Sequence, residues 1–332
     1  MDSVTVVPGA DGVRLVQGTR ALHIKGSEAL LQRVVEQLRT GVGESELDAA
    51  PPASAKLNAL AGELRSLGWL TDNPPGPAEA HTATERQLGY LFVFGPDALQ
   101  MQARLEAARV AILGVGGVGT VVAQHLVGAG VRRLWLMDFD KVARHNLNRQ
   151  FLFRYEDIGA PKAAAAADAL QRLDPEVDAR AIDMVVREPA DLSVLPPEID
   201  LLVIAADTPR DIADIVWQWG KERSVPIHMA AVGLESGYWG PLLAPESGHC
   251  WPCFDSGRRA SLPAGQSALE DAGTAPSPYS FGPTNTVISA LLAHDVIEYL
   301  ATGHCASENR RGQLALQGAR IEFLEGKPCA CS

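Results

Sequence analysis

Short β-rich runs open the chain. Val4–Val7, Val13–Val16 and Ala21–Ile24 are separated by the glycine-containing turns PGADG and QGT, a pattern that predicts three strands. Apolar residues then change to helical spacing. Leu30, Leu31, Val34, Val35 and Leu38 predict a helix over 29–38 with Ser27 as its cap, and Leu57, Leu60, Leu64 and Leu67 predict another over 56–67, which Gly68 ends. Strands and helices of this size read as a small winged-helix-like α+β domain over residues 1–72. The segment 73–84, with Pro74, Pro75, Gly76 and Pro77, predicts an extended linker.

From residue 85 the pattern changes again. Arg109–Leu113, Leu134–Asp138 and Leu201–Ala205 are dense apolar runs, each followed by a helical stretch. Buried parallel strands alternating with helices predict a doubly wound, Rossmann-like α/β domain over 85–332. Thr286–Leu300 predicts a last amphipathic helix. A mobile crossover loop is expected at about 254–283, rich in Gly, Ser, Ala and Pro over Pro263–Pro283.

Composition narrows the class. The 332 residues are 46% hydrophobic and 21% charged, enough for a real core. No stretch approaches about 18 uninterrupted apolar residues, so no membrane span is expected. The N-terminus has no basic start followed by an apolar run, and five cysteines are an odd number; both point to a reducing cytoplasm. Net charge is −11. Up to Ala80 there are 7 basic and 10 acidic residues, so even the winged-helix-like part is −3. Phosphate-backbone binding normally needs the opposite sign, which argues against nucleic acid as the partner.

Candidate chemistry begins at Gly114-Val-Gly116-Gly117-Val-Gly119, which runs from a strand into a helix starting near Thr120. Such glycines let backbone N–H groups approach a phosphate at a helix N-terminus. Asp138, 24 residues after Gly114, ends the next strand, where a carboxylate can accept ribose hydroxyls. By itself this pattern also fits a dehydrogenase, or close strand–helix packing with no ligand.

The following residues choose among these. Asp138-Phe-Asp140 is followed by Asn146-Leu-Asn148-Arg149-Gln150 and then by Gly159-Ala-Pro-Lys162. Here the chain resembles the ThiF/MoeB superfamily of ubiquitin-activating-type adenylyltransferases over about residues 85–331. The physical argument runs the same way. Attack of a carboxylate on an α-phosphate joins two anions and needs cations on the phosphates; Arg149 and Lys162 are suitable donors.

The resemblance implies ATP as the nucleotide, and a magnesium-associated Asp207 just beyond the third strand. Read alone, Asp207 has a helix cap as its alternative role. It also implies that Arg86, in Glu85-Arg86-Gln87, reaches the triphosphate of a neighbouring subunit, and hence a homodimer.

Cys250-Trp-Pro-Cys253 and Cys329-Ala-Cys331 offer four thiolates, which suit a closed, structural tetrahedral zinc. The second pair is one residue shorter than the family's C-x-x-C. Cys305 is left over and reads as a small buried residue. No cysteine lies between Phe254 and His304, where sulfur-transferring relatives carry one. Arg258 and Arg259 read as solvated charges, with contact to a substrate carboxylate as the alternative.

A small α+β domain ahead of a ThiF-like domain is similar to the precursor-peptide recognition element of microcin-C-type and pantocin-type enzymes, which implies β-augmentation by a leader peptide. The expected activity is therefore ATP-dependent adenylation of a carboxylate on a ribosomally made precursor peptide. Two alternatives stand beside it: adenylation of a Gly-Gly-ending sulfur carrier, and a non-catalytic leader-binding scaffold.

Overall fold

The computed structural model describes residues 4–9, 11–26, 32, 53–70, 82–262, 279–329 and 331. The helix expected over 29–38 lies outside them but for residue 32. So do its cap Ser27, residues 73–81 of the linker and 263–278 of the crossover loop. Two compact units divide the chain, Met1–Gln102 and Ala103–Ser332.

The first unit opens with an antiparallel sheet of β1 (Thr5–Gly9), β2 (Gly12–Gln17) and β3 (Arg20–Lys25), in that order. Alternation sends Val13 and Leu15 of the central strand inward, where they are fully buried with Val4, Leu64 and Trp69. Helix α1 (Ala53–Ser66) begins three residues before the expected start and ends at Gly68, whose φ of +70° disfavours any side chain. Helix α2 (Glu85–Leu91) buries Leu88 and Leu91, and α3 (Ala98–Ala107) spans the division between the units.

The second unit is built on an eight-stranded sheet. Its elements in chain order are β4 (Arg109–Leu113), α4 (Gly119–Gly128), β5 (Arg133–Met137), α5 (Lys162–Leu173), β6 (Asp178–Ile182), β7 (Leu201–Ile204), α6 (Ile212–Arg223), β8 (Ile227–Val232), β9 (Ser236–Trp239), α7 (Trp251–Ala260), α8 (Gly282–Thr302), β10 (Arg310–Ala315) and β11 (Arg320–Glu325). The sheet order is β11-β10-β9-β8-β7-β4-β5-β6. Strands β4 to β8 are parallel, and β9 to β11 extend one side in antiparallel fashion. From β4 the chain builds outward through β5 and β6, then returns to the other flank of β4 for β7 and β8. The carboxyl ends of β4 and β7 therefore border a topological switch point, where open α/β sheets bind ligands. One core lies on each face of the sheet: Val122, Leu126, Ala166 and Leu292 on one, Val216, Trp219 and Phe254 on the other.

The crossover loop is shorter than expected at both ends. Residues 254–260 belong to α7, where Asp255 bonds Arg258 at i+3 and Arg259 at i+4. Gly282 and Pro283 open α8, in which proline occupies a first-turn position whose N–H needs no helical partner. Among the described residues no helix is long and apolar enough to cross a membrane.

Candidate functional site

Glycine is required on the floor of the β4–α4 crevice. Gly114 has φ +92°, and a Cβ there would lie 2.6 Å from the Ala205 carbonyl carbon just past β7. A Cβ on Gly119 would overlap the Gly114 carbonyl oxygen, and one on Gly117 would overlap Asn285 Oδ1. Gly116 and Gly117 remain half-buried at the mouth. The loop is thus a bare backbone surface at the start of α4, suited to a phosphate.

Asp138, one residue beyond β5, is 8% exposed and fixes this loop. Its Oδ2 accepts the Val115 N–H at 2.7 Å and its Oδ1 that of Asp140 at 2.8 Å. Burial raises its pKa above the ordinary carboxylate value; the Asp140 N–H and the Lys162 charge act against that rise. An ionised carboxylate offers about four lone-pair sites, so two backbone bonds leave acceptor capacity for a ribose. Asp140 in turn takes the Lys162 ammonium at 2.7 Å, and its carbonyl accepts the Lys162 N–H at 2.8 Å. Lys162, the first residue of α5, has a side chain only 9% exposed.

Asn146 is buried in a 3₁₀ turn (Arg144–Asn146), where its Oδ1 holds the Ala143 N–H at 2.8 Å. That turn aims the next residues at the crevice. Arg149 Cδ would stand 3.5 Å from a Cβ on Gly117, and Gln150 Nε2 would stand 3.6 Å from one on Gly116. The Arg149 guanidinium donates to the His145 carbonyl and to Asn148 Oδ1, both at 2.9 Å, and burial lowers its pKa. Gln150 is 2% exposed and its buried Oε1 has no partner among the described residues, an orphan acceptor beside the glycines.

Asp207 is exposed just beyond β7, with the Thr208 hydroxyl donating to it at 3.2 Å. It lines a cavity of about 310 Å³ that also reaches Trp251, Arg258, Arg259 and Arg311. Arg86 is exposed on α2 of the first unit. Two residues here carry no sequence signal. Asn285, on α8, meets the glycine loop only through the fold. Arg311, on β10, looks like one charge among many in RRGQLA.

The four cysteines converge: the Sγ atoms of Cys250, Cys253, Cys329 and Cys331 all lie within 4.8 Å of one another. Cys250 caps α7, its sulfur accepting the Cys253 N–H at 3.4 Å. The short C-x-C pair reaches the cluster, with Cys331 3.3 Å from Cys253 and Cys329 3.3 Å from Cys250. Cys305 stands apart. Burial, reinforced by the Asp295 charge, pushes its thiol up to about 12, so it stays protonated near neutrality.

Known proteins resemble this chain over most of its length. The ThiF family profile matches residues 84–329. The sulfur carrier protein adenylyltransferase of Thermus thermophilus is 32% identical over 206 residues, 60% of this chain and 71% of that one. The molybdopterin-synthase adenylyltransferase of Escherichia coli is 39% identical over 106 residues, 32% of this chain and 42% of that one, so the match spans under half of that relative. Among solved structures, Escherichia coli MccB with AMPCPP and MccA superposes with a TM-score of 0.80 at 23% identity, covering 99% of this chain and 97% of that chain.

Proposed function

The chain belongs to the ThiF family, and from that premise we propose that it is an ATP-dependent adenylyltransferase acting on a carboxylate of a ribosomally made precursor peptide. The observation that carries this reading is the cradle itself: a bare glycine loop with Asp138 pinned to it, Lys162 on Asp140, and Arg149 and the orphan Gln150 acceptor at its mouth. In the proposed step a carboxylate oxygen attacks the α-phosphorus of ATP. The acyl–oxygen–phosphorus bond forms as the bond to the bridging oxygen of pyrophosphate breaks, and the electron pair leaves with pyrophosphate. Arg149 and Lys162 would stabilise the charge that gathers on the phosphates. Asp138 would orient the ribose. An amine or amide would then capture the acyl-adenylate.

Asp207, an exposed carboxylate at the end of β7, suits magnesium, which prefers oxygen ligands and would neutralise phosphate charge. The four clustered thiols suit a closed structural zinc. We further read the protein as a cytoplasmic homodimer in which exposed Arg86 serves the partner subunit's triphosphate.

Leader recognition would fall to the first unit. Among the described residues no strand pairs with the outer side of β3, and β1 has lost one donor to Pro8. An added peptide strand would therefore lie along Arg20–Lys25. The named activity of the Thermus relative supports the second reading, a sulfur-carrier C-terminus as the substrate. ATP–pyrophosphate exchange separates the readings. Exchange that depends on a precursor peptide encoded beside the gene is expected. Exchange only with a Gly-Gly-ending protein would select the second reading. ATP binding without exchange for either substrate would leave a scaffold.

A further inference from the structure

Asn285 faces the glycine loop from a helix that the nucleotide motifs do not include. It lies in the first turn of α8, is 4% exposed, and its amide is oriented by its neighbours. Nδ2 donates to Ser280 Oγ at 2.9 Å and to the Phe281 carbonyl at 2.8 Å. A carbonyl can only accept, so the nitrogen end of the amide must face Phe281 and the oxygen end must face Gly117. There the oxygen takes the place of a side chain: a Cβ on Gly117 would overlap Oδ1 and stand 2.8 Å from Cγ. The missing side chain at 117 thus makes room for the Asn285 amide as well as for a phosphate.

The same turn reaches Arg149. Asn148 Nδ2 donates to the Ser280 carbonyl at 3.4 Å, while Asn148 Oδ1 accepts the Arg149 guanidinium at 2.9 Å. A Cβ on Gly282 would lie 2.7 Å from the Asn148 carbonyl oxygen and 3.8 Å from Arg149 Cα, so the start of α8 rests directly on this backbone. Ser280 therefore stands between two parts of the cradle. Its hydroxyl is tied through Asn285 to the glycine loop, and its carbonyl through Asn148 to the arginine. Each bond is worth little singly, but the two chains give the loop and the cation one common reference.

Resting on the adenylation reading above, we propose that Asn285 is a positioning residue for the triphosphate. Anchored on Ser280 and Phe281, it sets the height of the glycine loop against Arg149, so that backbone donors and guanidinium meet the same phosphates. The ribose role proposed for Asp138 belongs to the end of β5 and does not depend on it.

Two ligands, titrated separately into the full chain, test this: ATP with magnesium, by calorimetry, and adenosine, by ligand-observed NMR. Adenosine carries ribose and base without phosphate, so a loss confined to ATP reports the phosphate cradle and not a general loosening of the fold. Asn285→Leu keeps the branched shape and removes both anchoring bonds. It is expected to weaken ATP binding about tenfold and adenosine binding less than about twofold; Ser280→Ala, which removes one of the bonds, should weaken ATP binding about threefold. Gly117→Ala should lose less ATP affinity in an Asn285→Ala background than alone, because its methyl group enters vacated space. Unchanged ATP affinity in folded Asn285→Leu overturns the proposal, as do equal losses for ATP and adenosine, or strictly additive losses in the double variant. If Asn285→Leu does not fold, Ser280→Ala decides with the same two ligands. When the unmodified chain binds ATP and the variants do not respond, this proposal alone falls. When the unmodified chain binds no ATP, the adenylation reading falls and takes this proposal with it.

Discussion

Lys162 Nζ lies 2.7 Å from Asp140 Oδ2, closing a pair in which the lysine side chain is 9% exposed and the aspartate 52%. The ammonium is thus held on a carboxylate that water still reaches, which under the proposed function lets it be shared with an incoming phosphate. Lys162→Ala is expected to lower the rate of pyrophosphate exchange by about 100-fold or more, the usual cost of removing one donor from developing charge. Arg149→Ala should do the same while the proposed binding of peptide to the first unit persists. Exchange that survives both substitutions would place the transferring phosphate elsewhere.

The glycine loop sets a sharper stability test. A Cβ on Gly114 meets backbone atoms of Ala205 and Ala206, which cannot swing away as a side chain can, and φ +92° adds strain. Gly114→Ala should cost about 2–4 kcal/mol in denaturant unfolding. Gly117→Ala meets only side-chain atoms, the Asn285 amide and Arg149 Cδ, so its stability loss should be smaller and its effect should fall on ATP affinity, measured by titration calorimetry.

Acid sensitivity has an identifiable source. His228 is fully buried, and desolvation pulls its pKa from 6.5 to about 4. Between those values the unfolded chain binds a proton that the folded chain refuses, so stability falls as pH drops through that window. The full loss is about 3 kcal/mol on the linkage relation. His294, raised chiefly by its bond with Asp295, acts on the alkaline side and does not offset this. His228→Gln should flatten the pH 6.5-to-4 dependence of the thermal midpoint; a slope equal to that of the unmodified chain would assign the acid sensitivity to other groups.

Metal removal should be felt through α7. Cys250 and Cys253 stand at its start, and Trp251, Asp255, Arg258 and Arg259 line the cavity from the same helix. Chelation or Cys331→Ser is expected to lower bound zinc, measured by elemental analysis, and to lower the thermal midpoint. KM for peptide should rise more than KM for ATP, since Asp138 and the glycine loop lie on other elements.

The convergence of the glycine-loop crevice is legible in residue order because its parts are local. Gly114, Asp138, Arg149 and Lys162 fall within 49 consecutive positions, and strand-to-helix spacing alone sets them around one switch point. The cavity is not. Tyr238 and Arg311 meet because β9 pairs with β10 across 70 residues of sequence, and nothing near either residue encodes that pairing. The crossover segment departs from its composition at both ends for a related reason. Its composition suggests a loop, but the Asp255 ion pairs and the first-turn Pro283 extend the two flanking helices into it.

The antiparallel extension of the sheet also bears on the order of assembly. During synthesis the strands that border the glycine loop, β4 through β8, leave the ribosome well before β10. Their pairings close among themselves, whereas the wall carrying Arg311 waits for the last elements described. A nascent chain therefore completes the floor of the glycine-loop crevice before the antiparallel edge of its sheet exists.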